Sequence, residues 1–275
     1  MLKKHEETVA KLKAEGNPNV PRAPQPPFMP GIAPKPPAGY YNSLIVPIQP
    51  YAMRGVIWYQ GENNSYYPGE YRTLFPAMIR AWREDWKQGD PSTGSGQAFP
   101  FLFVQLAAHF KISPEMREAQ LYASQTIPRT AMITIGDVSG DAQDAHPRKK
   151  EPVGARLVLA ARAMAYREKV EYSGPIYASV KIKNQRAILT FTHVGGGLEV
   201  RNGTLTGFTI AGDNGEFVEA QAQIEPPNKV VVWSDKVTKP VAVRYNWLNV
   251  PVINLYNREG LPASSFRTDY SPPKQ

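Results

Sequence analysis

The sequence contains no cysteine, and that absence removes several chemistries together. There is no disulfide framework, no thiolate metal site and no cysteine nucleophile. The compartment stays open, since a cysteine-free chain suits cytosol and periplasm alike. No run reaches the ~18 apolar residues that a membrane span needs, so no membrane partner is expected. The opening Met-Leu-Lys-Lys-His-Glu-Glu is too charged to supply a signal peptide's apolar region, and the chain reads as soluble without an export address. The net charge of +8 comes from scattered Lys and Arg, apart from short clusters such as Arg148-Lys149-Lys150. With no basic helix and no aromatic-basic repeat, no nucleic-acid partner is expected.

What remains is ample for a folded protein. Over 275 residues, 42% hydrophobic and 11% aromatic content allows two domains of ordinary size, each with its own core. The organising stretch is Arg54-Gly-Val-Ile-Trp-Tyr-Gln-Gly-Glu62. Its short continuous apolar run reads as a strand at 55–60, buried on both faces in a parallel sheet under helices. Ligands in such sheets sit outside the carboxyl ends of the strands, which puts Gln60, Gly61 and Glu62 at the mouth of a site.

Taken in order, the chain opens with a helix over 2–14, then a proline-dense stretch at 18–37 that reads as a stiff linker. After the strand at 55–60, the spacing of Tyr71, Leu74, Met78, Trp82 and Trp86 predicts a helix over 70–86, with Pro76 marking a kink or its true start. Residues 89–98 form a Gly/Ser/Pro loop, and 99–106 a second buried strand. Ser113-Pro114-Glu115 is a strong helix start, with Ser as N-cap and Pro at the first helical position. That helix runs to about Thr126. A third strand at 131–135 leads into an acidic loop, and Pro152 opens a helix ending near Arg167. Strand followed by helix, three times over, is the signature of a parallel α/β layer.

From Gly174 the texture changes to short alternating runs at 176–182, 187–192, 208–210, 217–224, 229–233 and 241–245. Asp213-Asn214-Gly215 is a hairpin signal, and the unit reads as an antiparallel β-sandwich. The tail from 254 to 269 has little periodicity and is expected to pack back on the body. The resulting domains are 1–39 (helix and linker), 40–172 (α/β) and 173–275 (β-rich).

Asp144-Ala-His146-Pro follows the third strand. An Asp two residues before a His in a loop can turn its carboxylate to the imidazole Nδ1, leaving Nε2 free to take a proton from a hydroxyl nucleophile. Asp-x-His alone also suits a solvated acidic loop; the position at a strand's carboxyl end favours a site. Gln60 can donate through its amide, and Gly61 lets a backbone N–H approach closely; both suit an oxyanion pocket. Glu62 reads equally as an orienting carboxylate or a solvent-facing acid. His109 follows the second strand and could line the same face, but a loop histidine is more often only exposed. His193 and His5 have no motif around them. Asp137, Asp141 and Asp144 form a carboxylate cluster whose spacing departs from a full calcium loop, so a metal site ranks below a hydrolase. Trp58, Trp82 and Trp86 read as core rather than sugar platform.

Ile57-Trp-Tyr-Gln-Gly-Glu-Asn63, Phe101-Leu-Phe-Val-Gln-Leu106, Asp144-Ala-His-Pro147 and Asn254-Leu-Tyr-Asn-Arg-Glu-Gly-Leu-Pro-Ala-Ser-Ser-Phe-Arg-Thr-Asp269 together resemble the sialate O-acetylesterase family, of the SGNH-type carbohydrate esterases. The likeness runs from about Tyr41 to Asp269. It implies a three-layer flavodoxin-like sheet, a serine mechanism without cofactor or metal, and an acetylated sugar as substrate. By that likeness His146 is the base, Asp144 its orienter, and Gln60 and Gly61 belong to the oxyanion block beside Glu62 and Asn63. Full-length relatives would be periplasmic or secreted. The family's usual Asp-Ile-His-Pro is Asp-Ala-His-Pro here, and Asn63-Asn64 replaces the commoner Ser-Asn. The family's nucleophile, in an early Gly-Gln-Ser-Asn segment after the first strand, has no counterpart. Gly96-Gln97-Ala98 is the nearest text, and Ser65, Ser95 and Ser139 are substitutes only as hydroxyls. Without the family's first strand, the strand at 55–60 would present unpaired backbone groups. An N-terminal half, a second chain or a symmetric copy is therefore expected to cover that edge. A catalytically incomplete carbohydrate-binding or assembly protein is the alternative.

Overall fold

The computed structural model describes residues 2–15, 38–49, 51–87, 98–138 and 142–269. The proline-dense stretch, nearly all of the 89–98 loop with Ser95, and Ser139 and Asp141 lie outside these residues. The chain divides into two compact units, Met1–Tyr51 and Ala52–Gln275. The first holds helix α1 (Leu2–Ala14) and a wide helical turn, Tyr41–Ile45, that tightens into a 3-10 turn at Val46–Ile48.

The second unit begins with a three-stranded parallel sheet in the order β1 (Val56–Trp58), β2 (Phe101–Val104), β3 (Thr130–Ile133). Side chains alternate across it. Phe101 and Phe103 meet Phe75 from helix α2 (Pro68–Asp85), with Trp58 and Trp82 joining the aromatic cluster. Leu102 and Val104 pack on the opposite face with Ala131, Ile133 and the apolar side of helix α4 (Glu151–Met164), including Val153 and Leu157. Helix α3 (Pro114–Thr126) lies beside α2 and β3 and is capped as its sequence dictates: Ser113 Oγ accepts the Met116 N–H at 3.4 Å. Helices therefore cover both faces of the sheet, the arrangement expected of an SGNH-like core.

Two expectations need correction. Strand β1 is not buried on both faces: Ile57 is 64% exposed, because among the described residues β1 is an edge strand bonded to β2 alone. The buried face of α2 is Tyr71, Phe75, Ile79 and Arg83, while Leu74 is exposed. The i, i+4 row from Tyr71 carries the contact, one step round from the predicted stripe. Pro76 sits inside the helix, its ring buried.

The remainder is a sandwich of two antiparallel four-stranded sheets. One runs β4 (Ile176–Lys183), β5 (Arg186–Thr192), β10 (Lys229–Trp233), β9 (Gln221–Glu225). The other runs β13 (Phe266–Arg267), β11 (Ala242–Tyr245), β7 (Phe208–Ala211), β8 (Phe217–Glu219). Leu189, Phe191, Ile210, Val230, Val232, Val243, Tyr245 and Phe266 fill the space between them. The predicted run at 217–224 is interrupted at Ala220, so it supplies one strand to each sheet. The tail is more regular than its text suggests: β12 (Leu255–Asn257) pairs with β6 (Leu198–Val200), and β13 pairs with β11. It also joins sandwich to α/β layer. Gln105 Nε2 donates to Ser264 Oγ at 2.8 Å, Arg267 grips Glu118 through two bonds of 2.9 Å, and Asn257 Nδ2 donates to the Ser173 carbonyl at 2.9 Å.

Candidate active site

The loops that leave the carboxyl ends of β1, β2 and β3 carry the polar residues singled out above. After β1 the chain bends at Gly61, whose φ of +140° only glycine adopts readily. A Cβ there would lie 2.8 Å from Met116 Cε and 3.2 Å from Leu106 Cδ1, so the backbone is pressed against the core. Gln60 is held from both ends. Its carbonyl accepts the Tyr71 hydroxyl at 3.4 Å, and its Nε2 donates to Asn64 Oδ1 at 2.7 Å, leaving the amide's second hydrogen for a ligand. Glu62 and Asn63 open the 3-10 turn Glu62–Tyr66. Burial pushes the Tyr59 and Tyr71 phenols up to about 12, with the Glu62 carboxylate adding to both, so each stays neutral.

After β3, Asp144 and His146 share one turn. Asp144 Oδ1 accepts the backbone N–H of His146 at 2.8 Å and lies 3.9 Å from its Nδ1. The carboxylate thus forms an Asx turn and does not yet bond the ring, a local closure that Asp favours. The imidazole is 77% exposed. The third loop corrects an expectation: His109, after β2, is only 6% exposed. Its Nε2 meets the Gln143 carbonyl at 3.3 Å, and its Nδ1 accepts the Lys111 N–H at 3.1 Å. Its position after the second strand was the one signal that it could line this face; its burial was not expected, because loop histidines are ordinarily solvated. His193, also without a motif, pairs with Glu171 at 2.8 Å across 22 residues of sequence.

Other residues are settled by their partners. Asp137 receives two bonds of 2.7 Å from Arg156 and one of 3.2 Å from the Tyr256 hydroxyl, so a guanidinium occupies its two oxygens. Among the described residues no three His, Asp or Glu side chains gather to hold a metal. Ser65 is buried, its Oγ donating to the Gly61 carbonyl at 3.4 Å, which makes it part of the bend. A cleft of roughly 420 Å³ lies apart from these loops, on the sandwich, lined by Phe217, Arg244 and Trp247 among others.

No family model matches the sequence. The sialate O-acetylesterases of Rattus norvegicus and Homo sapiens are each 32% identical over 169 residues, 56% of this chain. A crystal structure of a carbohydrate acetylesterase from Xanthomonas citri superposes with a TM-score of 0.76 at 41% identity, covering 84% of this chain. The chain is similar to part of the sialate O-acetylesterases. It spans 31% and 32% of the two curated relatives and 54% of the Xanthomonas protein. The relationship agrees with the SGNH-like sheet and the β-rich unit that follows it.

Proposed function

We propose that this chain contributes the acid–base and oxyanion groups of a carbohydrate O-acetylesterase of sialate type. The observation that supports the reading is that Gln60-Gly61 and Asp144–His146 lie on the segments that follow the parallel strands β1 and β3, in a chain similar to proteins named acetylesterases. In the proposed reaction a serine Oγ attacks the acetyl carbonyl while His146 Nε2 takes its proton. The tetrahedral oxyanion is met by the Gly61 N–H and the free amide hydrogen of Gln60. His146 then returns the proton to the departing sugar oxygen, and water repeats the cycle on the acyl-serine. Asp144 orients the ring once the 3.9 Å gap closes by about 1 Å, to hydrogen-bond distance.

The serine is proposed to come from a polypeptide that adds a strand along the free edge of β1. That strand's carboxyl end would open on the same rim, and its side chains would cover Ile57. The test is acetyl release from p-nitrophenyl acetate and from an O-acetylated sugar with the completing polypeptide present, with His146→Ala expected to abolish turnover. Turnover that survives this change overturns the assignment.

The exposure of His146 and the engagement of Ser65 favour, as a second reading, a carbohydrate-binding or assembly protein with the esterase fold. A fluorophosphonate probe separates the two. Labelling only in the presence of the completing polypeptide supports the esterase, and no labelling in either case supports the binding protein.

A further inference from the structure

We infer that His109 is a positioning residue: through Gln143 it sets the place of the Asp144–His146 turn, and the sandwich loop at Asn249 holds it there. The inference rests on the esterase reading for its consequence, but its structural content does not. A buried imidazole has to satisfy both nitrogens. The Lys111 N–H donates to Nδ1, so Nδ1 carries the lone pair and the ring proton sits on Nε2, which donates to the Gln143 carbonyl. The next residue repeats the grip, as the Phe110 N–H donates to the Ala142 carbonyl at 3.2 Å. Two consecutive carbonyls just before Asp144 are therefore fixed by two consecutive residues after β2.

The support continues on the other side. The His109 N–H donates to the Asn249 carbonyl at 3.3 Å, and Asn249 Nδ2 donates to the Phe110 carbonyl at 2.6 Å. Asn249 is itself fixed by Arg117, a buried guanidinium on α3 that donates to the Leu248, Asn249 and Ile112 carbonyls. A continuous hydrogen-bonded path thus runs from α3 through the sandwich loop and the β2 loop to the acid–base turn. The His146 ring at the end of this path stands in solvent.

Two substitutions separate positioning from mere packing. A glutamine at 109 reaches the place of Nε2 and keeps the donor to Gln143; an asparagine reaches only that of Nδ1. Amide exchange over 142–150 and steady-state acetyl release are measured on wild type, His109→Gln and His109→Asn. His109→Asn is expected to exchange faster over 142–150 alone and to lose about 10- to 100-fold in kcat at unchanged KM, the cost of a misplaced catalytic group. His109→Gln should stay near wild type in both. Equal behaviour of the two variants, or faster exchange spread over all of 52–275, overturns the inference. Acetyl release is read with the completing polypeptide present; if wild type then shows none, the esterase reading fails and the exchange pattern still decides the role of His109.

Discussion

Gly61→Ala tests the most constrained point of the site. The backbone there has φ +140° and ψ −7°, a region alanine enters at a cost of about 1–3 kcal/mol. The added methyl would meet Met116 Cε at 2.8 Å and Leu106 Cδ1 at 3.2 Å. Both neighbours are at most 1% exposed, so they must move within the core, at about 1–3 kcal/mol more. The sum is about 2–6 kcal/mol, and the flexible thioether of Met116 favours the low end. Urea unfolding should show a midpoint about 0.7–3 M lower at unchanged slope, taking a slope of about 2–3 kcal/mol/M. Gly69→Ala is the control: nothing lies within 4 Å of a Cβ there, and its φ is ordinary. Its effect should stay within about 1 kcal/mol. Alanine keeps the N–H, so if that group is an oxyanion donor, activity per folded molecule should fall through its displacement, by about 10²-fold for a shift of about 1 Å. A Gly61→Ala protein as stable as wild type would refute the account of the bend.

Tyr71 predicts a pH effect. Burial raises its phenol to about 12, so below pH ~10 both folded and unfolded states keep the proton and nothing changes. Between about 10 and 12 the unfolded chain ionises first, and stability falls as pH rises, by up to about 3 kcal/mol from this group. Urea midpoints at pH 9 and 11 should differ less in Tyr71→Phe than in wild type; equal differences would exclude the mechanism. Ile57→Lys addresses the free edge. At an exposed position it should alter stability by no more than about 0.5 kcal/mol, yet a lysine on that edge opposes strand addition. Sedimentation velocity with the completing polypeptide should show weaker association, and unchanged association would move the contact elsewhere.

The sequence was most legible where one local rule decided the outcome. Ser113-Pro114 set the start of α3, the uninterrupted apolar runs marked β2 and β3, and the alternation at 229–233 gave β10 to the residue. Strands β6, β12 and β13 escaped notice because none exceeds three residues and their partners are remote in sequence. In the site, the sequence pointed to the Asp144–His146 turn and the Gln60-Gly61 bend but not to their geometry. The choice Asp144 makes between the ring and its own backbone is settled by turn conformation, which residue spacing does not encode. The burial of His109 and Arg117 was invisible for a related reason. Both are polar residues whose partners are carbonyls brought together by the tertiary fold, and a carbonyl has no letter in the sequence.

The bonds between the closing segment and the α/β layer bear on how such a protein could be divided or inherited. Ending the chain near residue 173 to obtain a minimal hydrolase would strip Gln105 of Ser264 and remove Arg267, which holds both oxygens of the Glu118 carboxylate. It would also delete Asn249, whose Nδ2 bonds the Phe110 carbonyl in the loop after β2. Gene fusions or crossovers placed at that junction should therefore yield misfolded products unless the last hundred or so residues travel with the rest.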